Sequence, residues 1–314
     1  MALLKLRPSY KDYLWGGHRL VEKYNKEFDG DILAESWELS CHPDGPSYVV
    51  NGSYAGKTLQ EYIDLEGKKV LGNNCQKFEE FPILAKFIDA KDNLSIQVHP
   101  DNEYALKNEG QYGKTEMWYI MDCEEGAFLY YGFKKEVSKE EFEERIKTDT
   151  LLEVLNAVPV HKGDVLFIEA GTIHAIGKGI VIAEIQQKSN VTYRVYDFGR
   201  VGKDGKKREL HIDKAVEVTN RVPISRKNTC YPHVASCDYF TVDCLNMDGK
   251  LISNVKGSVN EDSFVSILIM EGEGTISCGG ETIPYRKGDS FFMSAGSGEY
   301  EISGECEALI TTVG

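Results

Sequence analysis

LSIQVHPDNEYALKNEGQYGKTEMWYI, residues Leu94 to Ile120, is the stretch on which the reading of this 314-residue chain turns. Gln97 and His99 stand two apart in an alternating run, and a strand places such residues on one face. Pro100 ends the run, Asp101, Asn102 and Gly113 mark a loop, and TEMWYIM resumes a strand with Glu116 near its start. Further on, GDVLFIEAGTIHAIG, residues 163–177, offers His174 shortly after an Ala170-Gly171 turn. If these strands are neighbours, Gln97, His99, Glu116 and His174 converge on one divalent metal. Two imidazoles, a carboxylate and an amide oxygen suit zinc or another first-row ion better than calcium or Cu(I). A lone strand histidine is more often hydrogen-bonded structure. The Gln-x-His pair, joined by a strand Glu and a second His after a turn, is what points to a ligand set.

Outward from this stretch the chain reads as mainly β. Gly163-Asp164 before VLFIEAGTIH is echoed by Gly288-Asp289 before SFFMSAGSGE, with the Gly-Asp and Ala-Gly pairs at the same internal spacing. Glu299 falls in the second copy where His174 falls in the first, and FVSILIMEGEGTI holds no Gln-x-His pair. The pattern predicts two related β-barrel units, the first with metal ligands and the second without.

Between the strands, capping patterns predict helices. Thr58 with Glu61 opens one over residues 57–65, and Ser138 with Glu141 opens another, with Phe142 and Ile146 at helical spacing. A second helical piece is expected over residues 149–155, and HIDKAVEV near residue 212 reads as a short helix. Asn51-Gly52 carries a hairpin signal. Trp37, Leu39 and Cys41 share one strand face. Lys86 interrupts a buried-looking run and either reaches a surface or serves a pocket. The basic loop with Arg200, Lys203, Lys206, Lys207 and Arg208 reads as solvated first and as a substrate contact second.

A formal charge of −14 disfavours nucleic acid and anionic membranes as partners. An anionic substrate then needs a local cluster of Lys and Arg. The N-terminal residues carry no apolar leader pattern, since Lys5, Arg7 and Pro8 break it, and a cytoplasmic location is expected. The eight cysteines form no CxxC pair and are expected as free thiols.

GDVLFIEAGTIH resembles the second motif of the cupin superfamily, with Glu169 where proline is usual. SIQVHPDNEYA, GKTEMWYI, GTIHAIGKG and AEIQQKSNVTYRVYDFGR are together similar to type I mannose-6-phosphate isomerases of the short bacterial form, which lack the large helical domain of longer members. The resemblance runs from YLWGG and ESWELS to the last barrel. It implies two cupin-like jelly-roll units: a catalytic domain of residues 1–134 and 157–220, a helical insertion at 135–156, and a degenerate domain at 221–314.

It also implies one Zn2+ per chain held by Gln97, His99, Glu116 and His174, and an aldose-ketose isomerisation of mannose 6-phosphate and fructose 6-phosphate. Arg194 and Lys114 match active-site residues, while Ser95 and Lys86 fall where the family has residues near the phosphate. Asn190-Val191 departs from the longer enzymes' Asp-Asn beside that arginine. The general base is Lys114 or a nearby Glu such as Glu184. A small phosphorylated sugar is the expected partner, with the chain a monomer or homodimer. Two other readings stand beside this one: a Fe(II) cupin dioxygenase, for which two His and one Glu suffice, and a non-catalytic sugar-binding cupin.

Overall fold

Ile83–Ala90 and Ile180–Gln187 are buried at every position, which a strand achieves only when both faces of its sheet are covered. They lie in the middle of a six-stranded antiparallel sheet, ordered Val165–Ile168, Glu116–Cys123, Ile180–Gln187, Ile83–Ala90, Glu35–Leu39, Ser9–Lys11. On one face Ile88, Trp118, Ile120 and Ile182 pack against Leu129, Tyr131 and Ile176. Leu129 and Tyr131 belong to a five-stranded sheet ordered Tyr193–Tyr196, Ile96–Val98, His174–Ala175, Phe128–Phe133, Leu155–Pro159. These two sheets enclose the first barrel. On the other face Phe87, Met117, Ala183 and Ile185 meet Leu6, Leu268, Phe292 and Leu309 of a third sheet. The computed structural model describes residues 3–202, 205–224 and 230–314; Lys203 lies outside them.

The third sheet is built on Gly298–Thr312, a strand of 15 residues that pairs with Thr241–Asp248, Val265–Glu271, Asn254–Val259 and Glu273–Cys278. Met247, Ile267, Ile276, Phe291 and Ile302 fill its own barrel. The fold is therefore mainly β with two barrel units. The boundary expected between them is crossed, however. Leu3–Arg7 pairs with Ser290–Met293, and Tyr48–Val49 pairs with Leu3–Arg7 in turn. Leu3–Arg7 thus joins the second unit's sheet inside its edge strand Tyr48–Val49, and Leu4 and Leu6 share their apolar core with Phe292 and Leu309 of that sheet.

The internal echo extends to individual bonds. Gly163 and Gly288 both have φ of 90°. Their N–H groups donate to Ile120 O and Ile269 O, and the next residues' carbonyls accept from those same partners' N–H groups. Asp164 Oδ2 accepts from His161 N, and Asp289 Oδ2 accepts from Arg286 N, at 2.9 Å in each copy. A positive φ and a side-chain acceptor explain why Gly-Asp is required twice.

Among the helices, Leu59–Glu66 has the full Thr58–Glu61 capping box. Ser138 caps Lys139–Lys147 through Glu141 N, but the Glu141 carboxylate turns away to Lys135 and Arg145, so that box is half made. Ile212–Val218 is helical. Residues 149–155 form only a 3-10 turn, Leu151–Val154, before the chain becomes strand. Asn51-Gly52 does not make a tight hairpin: Asn51 Oδ1 accepts from Lys5 N, and a 3-10 turn follows over Gly52–Tyr54. The loop read at Asn102 is a helix, Asn102–Asn108, capped by Asp101. The insertion packs Phe142, Leu151 and Val154 against Ile96, Val98 and Val195, where it supports the five-stranded sheet.

Candidate metal centre and cavity

Antiparallel register lines up the site. In the five-stranded sheet, Tyr131, His174, Gln97 and Arg194 stand opposite one another on four successive strands. In the six-stranded sheet, Trp118, Glu184, Lys86 and Trp37 do the same. Opposed residues in adjacent strands share a face, so each sheet presents one polar row, and Glu116 stands two residues before Trp118 on the same face. These rows bring Gln97, Glu116 and His174 together, and His99 joins them just past its strand.

His174 Nε2 lies 3.3 Å from Glu116 Oε1, and His99 Nε2 lies 3.7 Å from Glu116 Oε2. Each imidazole is oriented by its other nitrogen: His99 Nδ1 donates to Val191 O at 2.8 Å, and His174 Nδ1 to Thr172 O at 2.9 Å. A carbonyl only accepts, so both Nε2 atoms carry lone pairs. Those lone pairs face carboxylate oxygens, and His99 Nε2 and Glu116 Oε1 are buried without a hydrogen bond. Acceptors crowded together in a dry site are costly unless a cation joins them. The amide of Gln97 borders the cluster, 3.4 Å from His174 Nε2; a half-turn of the amide presents its oxygen. The residues present thus fit a divalent metal, and His99, Glu116 and His174 have the spacing of such a site.

Burial holds both imidazoles neutral. His174 is lowered to about 4 by burial, which outweighs its bond to Thr172. His99 is lowered well below the usual value by burial, then by Lys114. Burial, then repulsion from Glu184, raises Glu116 to about 8. Glu184 behaves oppositely. Burial pushes it up, but Lys114, Lys86 and the Trp118 N–H, 2.9 Å from Oε2, bring it below the ordinary carboxylate range. A proton-linkage test follows. Burial and the neighbouring Glu184 favour a proton on Glu116 when no metal is bound, and a ligating carboxylate must give it up. Calorimetric metal titration in buffers of different ionisation enthalpy should therefore show about one proton released per ion at pH 7, fading above pH 8. Metal affinity should rise with pH up to that point. Equal proton counts at pH 7 and pH 9 would contradict the assignment.

Beside the cluster, and joined to it through Gln97 and Lys114, lies a cavity of about 260 Å³ lined by Lys86, Ser95, Gln97, Lys114, Glu184 and Arg194 together with Tyr13, Trp15, Glu35, Asn190, Thr192 and Arg208. Every site residue expected from the sequence is therefore at the metal cluster or on this wall. Lys86 faces the pocket rather than a surface: its Nζ is 3.5 Å from both Glu35 Oε2 and Glu184 Oε1 and 4.9 Å from the Trp37 ring centroid. Lys114 Nζ is 2.8 Å from Glu116 Oε2. The sequence reading overlooked Glu35, whose signal is its position two before Trp37, and ranked Arg208 as solvated first. No helix among the described residues is long and apolar enough to cross a membrane.

Residues 3–128 match the catalytic domain of type I phosphomannose isomerase, and residues 230–313 match the mannose-6-phosphate isomerase cupin domain. A mannose-6-phosphate isomerase of Streptococcus mutans is 37% identical over 304 residues, covering 94% of this chain and 93% of its own. The crystal structure of the Bacillus subtilis mannose 6-phosphate isomerase superposes with a TM-score of 0.91 at 34% identity, covering 99% of each chain. A mannose 6-phosphate isomerase bound with zinc and yttrium shares the fold at a TM-score of 0.77 and 16% identity, again over 99% of each chain. Sequence, fold and the polar cluster between the two sheets agree, and the chain belongs to the type I phosphomannose isomerase family.

Proposed function

We propose that this chain is a metal-dependent isomerase that interconverts mannose 6-phosphate and fructose 6-phosphate by moving a proton between C2 and C1 through an enediol. The observation that carries the proposal is the convergence of His99, Glu116 and His174, lone pairs inward, next to a polar cavity that Gln97 and Lys114 line. Gln97, His99, Glu116 and His174 would hold one zinc ion, a choice favoured by the nitrogen and oxygen donors. Bound there, zinc supplies a Lewis acid that polarises sugar oxygens.

The chain's own residues do the rest. Removing a proton beside a carbonyl puts negative charge on oxygen, and fixed cations aimed at that oxygen lower the barrier. Arg194, opposite Gln97 in register, and Lys114, beside Glu116, provide them. Of the two candidate bases, Glu184 is the better placed. Lys114 is paired with Glu116 and, as an ammonium, offers charge rather than a lone pair. Glu184 lines the cavity as an ionised carboxylate, with Oε1 lacking a hydrogen bond. Ser95 and Lys86 line the same cavity, at positions where the family resemblance puts residues near the phosphate. Family membership leaves no observation favouring a dioxygenase or a non-catalytic binder.

An assay coupling fructose 6-phosphate formation to a reporter enzyme tests the proposal. Turnover of mannose 6-phosphate should vanish on exhaustive chelation and return with about one equivalent of zinc per chain. Full activity in protein shown by elemental analysis to be metal-free would overturn it.

A further inference from the structure

The strand Glu35–Leu39 turns its two sides to different neighbours. Glu35 lines the cavity, and Trp37 stands opposite Lys86 in register. The Trp37 indole N–H donates to Glu35 Oε2 at 2.7 Å, and the centroid of its ring lies 4.9 Å from Lys86 Nζ. Simple alternation puts Leu39 on that same side, as the sequence pattern also expects. It lies on the other. Leu39 stands opposite Ala85 rather than Leu84, and it packs with Leu6, Phe87 and Phe292 in the core between the two units. Glu38 is therefore the extra residue of a β-bulge. Glu38 and Leu39 share a face, while Trp37 is turned to the opposite one.

A bulge interrupts the ladder, so groups outside the ladder must hold it. Several of them come from the second unit. The Glu38 carbonyl accepts from Ser290 Oγ at 3.2 Å and from Ser47 Oγ at 3.1 Å. The Glu38 carboxylate is fully buried and meets Lys26 Nζ at 2.6 Å, and Ser36 Oγ donates to the same oxygen. Lys26 also donates to Gly288 O and lies 4.9 Å from the Phe87 ring centroid. Gly288 is the glycine of the repeated Gly-Asp turn, and Ser290 opens the strand that follows it. Glu38 Oε2 is buried without a hydrogen bond. An ion pair this deep adds little to stability, because desolvating both charges offsets most of their attraction. Its best-attested use is to select one arrangement of the chain over its neighbours.

We propose that Glu38 and Lys26 are positioning residues: their ion pair, docked on Gly288, holds the bulge that aims Trp37 and Glu35 at Lys86. The second unit, which lacks metal ligands of its own, thereby acts on the cavity through the reverse face of a strand that lines it. The proposal rests on the isomerase reading for its effect on turnover, while the role in holding the bulge does not.

Lys26→Met, Glu38→Leu and the double variant are compared with the unaltered zinc-loaded protein. Each single change leaves one buried charge unpaired and should lower the thermal unfolding midpoint. The double change removes both charges and should restore it. A pair that served stability alone would leave that restored variant normal in every other respect. The positioning role predicts otherwise: zinc content unchanged, but kcat/KM for mannose 6-phosphate lower by about ten- to a hundred-fold, the effect of a small misplacement at the cavity. The indole N–H resonance of Trp37, identified in isotope-labelled protein by its loss in Trp37→Phe, should shift as its bond to Glu35 changes. Ser290→Ala removes one hydroxyl and leaves the ion pair in place, so the fold is retained. It should move the same resonance and lower kcat/KM by about three- to ten-fold, the loss of one hydrogen bond. A stable double variant with normal kcat/KM, or a Trp37 resonance unmoved in both the double variant and Ser290→Ala, would overturn the assignment. If the double variant did not fold, Ser290→Ala would decide alone. If the unaltered protein isomerised no sugar phosphate, the isomerase reading would fall, while the resonance would still decide whether the bulge is held in this way.

Discussion

His99→Ala is expected to strip the metal from the protein and nearly all turnover with it. The imidazole is fully buried, its Nδ1 is anchored on Val191 O, and its Nε2 faces Glu116 with no other partner. Alanine removes one donor of a small set and opens a gap that water cannot bridge with the same strength. Lewis-acid stabilisation is worth several kcal/mol, so kcat should fall by roughly a thousand-fold or more. The fold should survive. The main structural loss is the bond to one buried carbonyl, about 1–3 kcal/mol, while the two apolar layers on either side of the central sheet are untouched. Elemental analysis and circular dichroism read the two effects separately. Stoichiometric zinc in a folded His99→Ala protein would remove this residue from the ligand set.

Arg194→Ala should show the complementary pattern, with metal retained and turnover lost. Arg194 sits across from Gln97 on the next strand and is not one of the three clustered side chains. It brings a positive charge to the wall of the cavity, where the proposed isomerisation would develop an oxyanion. Loss of one such preorganised group costs about a hundred- to a thousand-fold in kcat. Zinc content equal to that of the unaltered enzyme together with normal kcat would refute the catalytic role of Arg194.

The parts of the site that were legible in the sequence share a local cause. Gln97 and His99 alternate on one strand, so a period of two places them together whatever surrounds them. His174 follows a turn whose Gly171 has φ of 86°, a conformation that announces itself as glycine. The Gly-Asp repeat betrayed the second barrel because the same turn needs the same two residues each time. Helix caps were equally readable at Thr58 and Ser138, since a cap involves side chains three positions apart. Asn102–Asn108 was missed because Pro100, Asp101 and Gly113 resemble loop punctuation, although Asp101 is its cap.

Residue spacing alone thus determined the mainly β character, the repeat and the candidate ligands, all set by neighbours a few positions apart. Only the tertiary structure decided which strands became neighbours, and hence that Lys86 meets Glu35 and Glu184 while Arg208 returns to the cavity beside Arg194. It also decided that Leu3–Arg7 belongs to the second unit's sheet, far along the chain from its partners. Register between distant strands and the return path of a loop depend on burying apolar faces against one another, a free energy summed over the whole molecule. No short window of sequence contains that sum.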